Sequence, residues 1–285
     1  MSLSIVIPIC NECESIRPLY VALTAVLNGS GRNYEILFVD DGSNDGSYDE
    51  LLALAERDRD IKLIRFARNF GQTAALAAGI EYASGEVIVT LDGDRQNDPA
   101  DIPLLLAKLD AGFDLVHGWR KDRHDAFHRT LPSRIANWLI RRVTGVPLHD
   151  LGCTLKAMRR EIARALPLIG DMHRFIPILA HANGARCAQV IVRHHPRRAG
   201  KTKYGLGRTF RVLRDLIAVQ RMIRRGSRPL PFERQYEIRE LVNFGRETAS
   251  VNFLISDLKS QIANPPHEVE GYSIPDQKSF ATTPE

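Results

Sequence analysis

The stretch Glu86-Val87-Ile88-Val89-Thr90-Leu91-Asp92-Gly93-Asp94-Arg95-Gln96 passes from an apolar, β-branched run directly into two carboxylates that bracket a glycine. The run reads as a buried strand, and the acidic turn predicts that the chemistry of the chain lies beyond the strand tips. Outward from it, apolar runs at 3–9, 34–39, 61–66 and 113–118 have the same character. Amphipathic stretches near 15–28, 47–58, 71–83 and 99–111 separate them. Ser43-Asn44-Asp45 and Asp98-Pro99 supply helix-start chemistry before two of those stretches. Repeated strand–helix units predict an α/β fold with a mostly parallel central sheet, helices on both faces, and ligands held beyond the carboxyl ends of the strands.

Four of those ends are polar in an unusual way. Asp92 and Asp94 can face one hard cation that bridges a diphosphate; the other reading of the triplet is a capping turn. Asp58-Arg59-Asp60 repeats the spacing at a helix end and reads as solvated charge. In Asp40-Asp41-Gly42-Ser43-Asn44-Asp45-Gly46-Ser47 the carboxylates can accept from a ribose or a base edge, while Ser43 to Gly46 cap the next helix. Pro8-Ile9-Cys10-Asn11-Glu12 closes the first run and Asn69-Phe70-Gly71-Gln72 the third. Singly, each is an ordinary loop. At successive strand ends they predict one site.

In this order and spacing, I-P-x-x-N-E, D-D-G-S-x-D-G-S, N-x-G-Q and D-G-D-x-Q resemble the motifs of family 2 glycosyltransferases of the GT-A fold. Within that family they are similar to the branch that makes polyprenyl-phosphate sugars. The resemblance runs from residue 3 to residue 220. It implies that Pro8, Asn11, Glu12, Asp40 and Gln72 line a nucleotide pocket, joined by Asp41, and that Asp92, Asp94 and Gln96 surround Mg²⁺ or Mn²⁺. The implied donor is a nucleotide-diphospho sugar (UDP- or GDP-linked), and the implied acceptor a polyprenyl phosphate.

Gly118-Trp119-Arg120-Lys121, His149-Asp150-Leu151-Gly152-Cys153-Thr154, Met172-His173-Arg174-Phe175-Ile176-Pro177 and the 197–205 loop match the same branch. Arg197, Lys201 and Lys203 on that glycine-containing loop suit phosphate oxygens; without the resemblance such a loop reads as a solvated face. A lipid phosphate is already anionic near neutral pH, so an inverting attack needs no strong general base. The expected roles are metal-assisted charge neutralisation at Asp94, positioning and charge stabilisation by Arg120, Arg197, Lys201 and Lys203, and orientation of sugar or acceptor by Asp150.

At 285 residues the chain is long enough for one large α/β domain with a smaller lobe. Its formal net charge is +5, and the basic residues crowd 119–225 while Asp clusters in the first hundred positions. This split predicts a domain over 1–225 with a nucleotide and metal half at 1–119 and an anion-facing half at 120–225. Arginine-rich amphipathic segments at 130–144 and 206–225 read equally as helices lying on an anionic membrane surface or as helices packed on the sheet. A further strand is expected at 186–194. Residues 226–285 form an expected C-terminal extension: a linker at 227–231, helices at 232–243 and 249–263, and a polar, aperiodic tail.

Four cysteines are too few and too irregular for a disulfide framework. Cys10 and Cys13 lack a second pair for zinc, and His194-His195 lack a third ligand nearby. No secretory leader is readable and no run approaches the roughly 20 apolar residues of a membrane span. The expected location is therefore the cytoplasm, peripheral at the inner membrane face, with no nucleic-acid partner. Two alternatives share the motifs: a transferase with a soluble or protein acceptor, and a non-catalytic sugar-nucleotide-binding protein. A dinucleotide oxidoreductase is disfavoured because no G-x-G-x-x-G follows the first strand.

Overall fold

The computed structural model describes residues 1–121, 149–196, 219–221 and 236–244. Strand β1 (Leu3–Ile9) is buried at every position but Pro8, hence apolar throughout except for Ser4 rather than alternating. Helix α1 (Cys13–Asn28) follows, then β2 (Tyr34–Asp40), α2 (Ser47–Ala55), β3 (Ile61–Phe66), α3 (Gln72–Tyr82) and β4 (Val87–Thr90). A 3-10 turn (Pro99–Asp101), capped by the Asp98 carboxylate accepting from the Ala100 amide at 2.9 Å, leads into α4 (Ile102–Asp110) and β5 (Leu115–Trp119).

From residue 149 onward come β6 (Lys156–Arg159), α5 (Arg160–Arg164), a second 3-10 turn (Met172–Phe175), α6 (Ile176–Ala182), β7 (Cys187–Ile191) and β8 (Ile238–Val242). The sheet order is β7-β5-β6-β4-β1-β2-β3-β8. Strands β4, β1, β2 and β3 run parallel, so their carboxyl ends emerge along one edge. The chain winds outward from β1 through β2 to β3 and then returns to the other side of β1 as β4. That reversal opens a crevice at the tips of β1 and β4, the usual place for a ligand in such sheets.

Helices cover both faces. Ile16, Leu19, Leu23 and Leu27 of α1 recur at helical spacing and join Leu51 and Leu54 of α2, Leu105 and Leu109 of α4, and one face of β1 to β4 in a single core. Each such side chain, fully withdrawn from water, contributes about 1.5–3 kcal/mol. On the opposite face α3 lies so close that a Cβ at Gly79 would stand 2.2 Å from Val6 Cγ1.

The structure revises part of the C-terminal reading. Residues 238–242, expected within a helix over 232–243, form an antiparallel edge strand against β3. Tyr236, Ile238 and Leu241 are buried on the sheet while Glu237 and Arg239 face water, an alternation obscured at 238–241 by a register shift opposite Arg65 and Phe66. Tyr236 stacks on Phe66 with ring centres 4.9 Å apart, and the side chain of Asn243 donates to the Ala55 and Ile61 carbonyls. The unit containing the sheet thus runs Met1–Phe244, past the boundary expected at 225. The antiparallel strand β6, inserted between β4 and β5, had no expected counterpart.

The helices expected at 130–144 and 249–263, the 227–231 linker and the tail lie outside the described residues, as does most of 206–225; residues 219–221 are helical, with Val219 buried. Among the described residues no helix is long and apolar enough to cross a membrane.

Candidate active site

Three loops are laced together at the tips of β1, β2 and β3. Asn11 sits in the left-handed region (φ 57°), which asparagine tolerates. Its amide donates to Ser43 Oγ at 3.0 Å and its side-chain oxygen accepts from the Asn44 amide at 2.8 Å. The Glu12 amide donates to Ser47 Oγ. A Cβ at Gly42 (φ 69°) would stand 2.6 Å from the backbone of Arg68 and Asn69, so only glycine lets the second and third loops touch.

The two acids at the tip of β2 have different tasks. Asp40 is fully buried; one oxygen accepts from the Ser43 amide at 3.2 Å, whereas Oδ2 has no hydrogen-bond partner and lies 3.9 Å from Arg65 Nε. Burial pushes its pKa above the ordinary value despite Ser43 and Arg65. Asp41, expected to line the nucleotide pocket, accepts from the Phe70 amide at 2.6 Å and the Gly71 amide at 2.9 Å. It fixes the loop that starts α3, because a short acidic side chain satisfies two amides that no strand reaches. Asn69 completes the link by donating to the Asp41 carbonyl and to Cys10 Sγ. The four cysteines are free thiols.

The acidic turn at the tip of β4 packs on β1. A Cβ at Gly93 would meet Ile9 Cδ1 at 2.3 Å and the Pro8 carbonyl at 3.3 Å, so the glycine seats Asp92 and Asp94 at the crevice. Gln72, the first residue of α3, donates to Asp92 Oδ1 at 2.6 Å. Burial and the neighbouring Asp94 charge push the Asp92 carboxyl up to about 6, against lowering by Thr154, Lys156 and Arg120. The backbone of Gln96 serves the loop on both sides: its amide donates to Asp94 Oδ1 at 3.1 Å and its carbonyl accepts from the His195 amide at 2.9 Å. Among the described residues no third His, Cys, Asp or Glu joins the two acids in a closed metal cage.

Arg120 and Asp150, expected to act separately, are partners. Arg120 Nε and Nη2 donate to the two Asp150 oxygens at 2.7 and 3.0 Å, with the side chains 11% and 5% exposed. Burial alone would lower the Arg120 pKa, but the Asp150 hydrogen bond and charge raise it further, so the guanidinium stays charged. Beside the pair, Trp119 stacks on His149 at 4.3 Å. Asp58, read as solvated charge, accepts from the Tyr20 hydroxyl at 2.8 Å. His195 contacts Asp98, and Arg193 forks onto Asp101, so the chain entering the basic loop is anchored beside the acidic turn. Arg197, Lys201 and Lys203 themselves lie outside the described residues.

Several neighbours were not anticipated. Lys156 lies buried on β6 with Nζ donating to the Cys153 carbonyl at 2.5 Å, its pKa lowered by burial. Its sequence signal was a single lysine inside the apolar run Leu155-Lys156-Ala157-Met158. His173 meets Thr73, in the first turn of α3, at 2.7 Å, and Thr154 donates to Asn97 at 2.8 Å.

A model of the glycosyl transferase family 2 domain matches residues 4–166. A dodecaprenyl-phosphate galacturonate synthase of Rhizobium johnstonii is 44% identical over 234 residues, 80% of this chain and 69% of that protein. An undecaprenyl-phosphate 4-deoxy-4-formamido-L-arabinose transferase of Salmonella enteritidis is 42% identical over 216 residues, 75% of this chain and 66% of its own length. The chain thus matches about two thirds of the length of these relatives. Among solved structures, glucosyl-3-phosphoglycerate synthase from Mycobacterium tuberculosis, crystallised with Mn²⁺ and UDP-glucose, superposes with a TM-score of 0.60 at 20% identity, over 84% of this chain and 86% of that one. The structural likeness carries the fold, while the sequence relatedness extends over three quarters of the chain or more. Such similarity reflects common descent, and the chain belongs to glycosyl transferase family 2.

Proposed function

We propose that the protein transfers a sugar from a nucleotide-diphospho sugar to a polyprenyl phosphate, with inversion, using a divalent cation held by Asp92 and Asp94. The observation that carries this reading is the acidic turn at the switch point of the sheet. Burial and then the charge of Asp94 push the Asp92 carboxyl up to about 6, a conflict that a cation resolves. The donor set fits Mg²⁺ or Mn²⁺: such ions take one or two carboxylates and complete their shell with diphosphate oxygens and water rather than a protein cage. When bound, the ion supplies neutralisation of charge on the departing nucleoside diphosphate.

The protein's own groups do the rest. Asp40 offers its unhydrogen-bonded Oδ2 to a donor on the base or ribose. Asp41, Asn11 and Glu12 keep the three loops in register, and Gln72 orients Asp92. Arg120 contributes a permanent positive charge fixed by Asp150, whose engagement suits a reaction that needs no strong base. The donor half spans 1–119 and the acceptor half 120–225. Arg197, Lys201 and Lys203 bind the acceptor phosphate; their loop departs from the His195 amide that is tied to the acidic turn. The acceptor class follows the names of the relatives that share 42–44% identity. Work on a lipid phosphate makes the protein peripheral to the membrane face.

The test is donor binding followed by transfer. A panel of UDP-, GDP- and dTDP-sugars, with and without Mg²⁺ or Mn²⁺, is scored by thermal shift; the true donor raises the melting temperature, and the rise requires the ion. Transfer of the identified sugar to undecaprenyl phosphate in vesicles is then followed for wild type and Asp94→Ala. Asp94→Ala should melt like wild type and lose metal-dependent turnover. Undiminished turnover in that variant would end the metal assignment, and transfer confined to a soluble acceptor would end the lipid one.

A further inference from the structure

Asp40, Arg65 and Glu240 form one row across β2, β3 and β8: Asp40 pairs with Arg65, and Arg65 with Glu240. In-register neighbours share a face of the sheet, so a negative, a positive and a negative side chain stand side by side. Tyr48 of α2 lies over this row. The Arg65 guanidinium stacks on the Tyr48 ring at 3.6 Å, and the Tyr48 hydroxyl donates to Glu240 Oε2 at 2.6 Å. Tyr48 is buried, and burial together with Glu240 pushes its hydroxyl up to about 12, so it remains a donor.

This stack fixes the distance between Arg65 and Asp40. At 3.9 Å, Arg65 Nε is near enough to favour the carboxylate but too far to hydrogen-bond it, and Oδ2 stays without a donor. A shift of about 1 Å would close a direct hydrogen bond and occupy that oxygen. We propose that Glu240 is a positioning residue for donor recognition: through Tyr48 it holds Arg65 off Asp40, so that the buried Oδ2 is left without a donor, for an N–H or O–H of the nucleotide to satisfy. The proposal rests on the reading of Asp40 as a nucleotide-facing carboxylate. It gives the C-terminal strand β8 a part in donor binding, although its sequence lies some 200 positions from Asp40 and it touches no ligand.

The test uses the full chain and isothermal titration of UDP and of GDP with Mg²⁺, with a melting temperature taken for every variant. Loss of the Tyr48 acceptor in Glu240→Ala should weaken the nucleotide that binds wild type by about tenfold, the scale of one hydrogen bond to a charged group. Glu240→Gln, whose carboxamide oxygen still accepts from Tyr48, should stay within about threefold of wild type. Tyr48→Phe removes only the hydroxyl and should reproduce the loss, which keeps the idea testable if Glu240→Ala folds poorly. The decisive comparison is Glu240→Ala in an Arg65→Met background: with no donor at position 65 to close on Asp40, the added loss should be less than about twofold even though melting falls. A merely structural strand would give the same loss in both backgrounds. Equal losses there, or wild-type affinity in both Glu240→Ala and Tyr48→Phe, overturn the proposal. Failure of wild type to bind either nucleotide would instead remove the reading of Asp40 and the proposal with it.

Discussion

Replacing Asp150 by alanine tests whether that carboxylate acts on substrate or on Arg120. The guanidinium it holds is 11% exposed and is gripped at both Nε and Nη2, at 2.7 and 3.0 Å. Removing the acid leaves a buried cation without its partner, a change that costs about 3–5 kcal/mol. For a domain of this size each kcal/mol lowers the melting temperature by roughly 2–4 °C, so the expected drop is roughly 6–20 °C. Replacing both partners with apolar residues, as in Arg120→Met with Asp150→Leu, should restore most of the loss, because no buried charge is left over. Differential scanning calorimetry on wild type, both single variants and the double variant gives the coupling directly. A melting temperature for Asp150→Ala within about 1 °C of wild type, or a double variant as unstable as the sum of the singles, would refute the reasoning. Activity lost without stability would return Asp150 to a role on substrate.

Two further outcomes follow from the scaffold. Burial alone would raise the pKa of Glu35, but hydrogen bonds from Lys62, Ser4 and Ser84 outweigh it and carry the carboxyl below its ordinary value. Its contribution is therefore complete above the unfolded carboxyl pKa and disappears as pH falls through the depressed folded one; urea midpoints of wild type and Glu35→Gln should differ at pH 7 and converge in acid. Gly79→Ala drives a methyl to within 2.2 Å of Val6 Cγ1 between α3 and β1, and chemical denaturation should show a loss of about 1–3 kcal/mol. An unchanged midpoint would mean that α3 shifts freely on the sheet.

The legible part of the fold was the part governed by local pattern. The runs behind β1 to β4 were readable because parallel strands buried on both faces are apolar at most positions, with polar residues such as Glu35, Lys62 and Arg65 too few to hide the run. Gly42 and Gly93 were visible only as members of acidic turns; that each seats its turn against a neighbouring segment is a tertiary fact. Strand β8 was misread because Ile238 and Leu241 sit three apart, a helical spacing, and the register shift that lets both pack on the sheet exists only against Arg65 and Phe66. Strand β6 went unread because a lysine opens it, and that lysine is tolerated only where a carbonyl and nearby acids receive it.

The sequence by itself determined that polar groups collect at successive strand tips, since strand periodicity and chain order follow from side chains a few positions apart. Which of those groups already have hydrogen-bond partners was decided by tertiary structure. Asp40 and Asp41 are adjacent and chemically identical, yet one keeps an oxygen without a hydrogen bond and the other spends both on the amides of Phe70 and Gly71. Arg120 and Asp150, 30 positions apart, satisfy each other. Hydrogen bonding is a matter of ångströms and angles between groups that only folding brings together, and no local period encodes it.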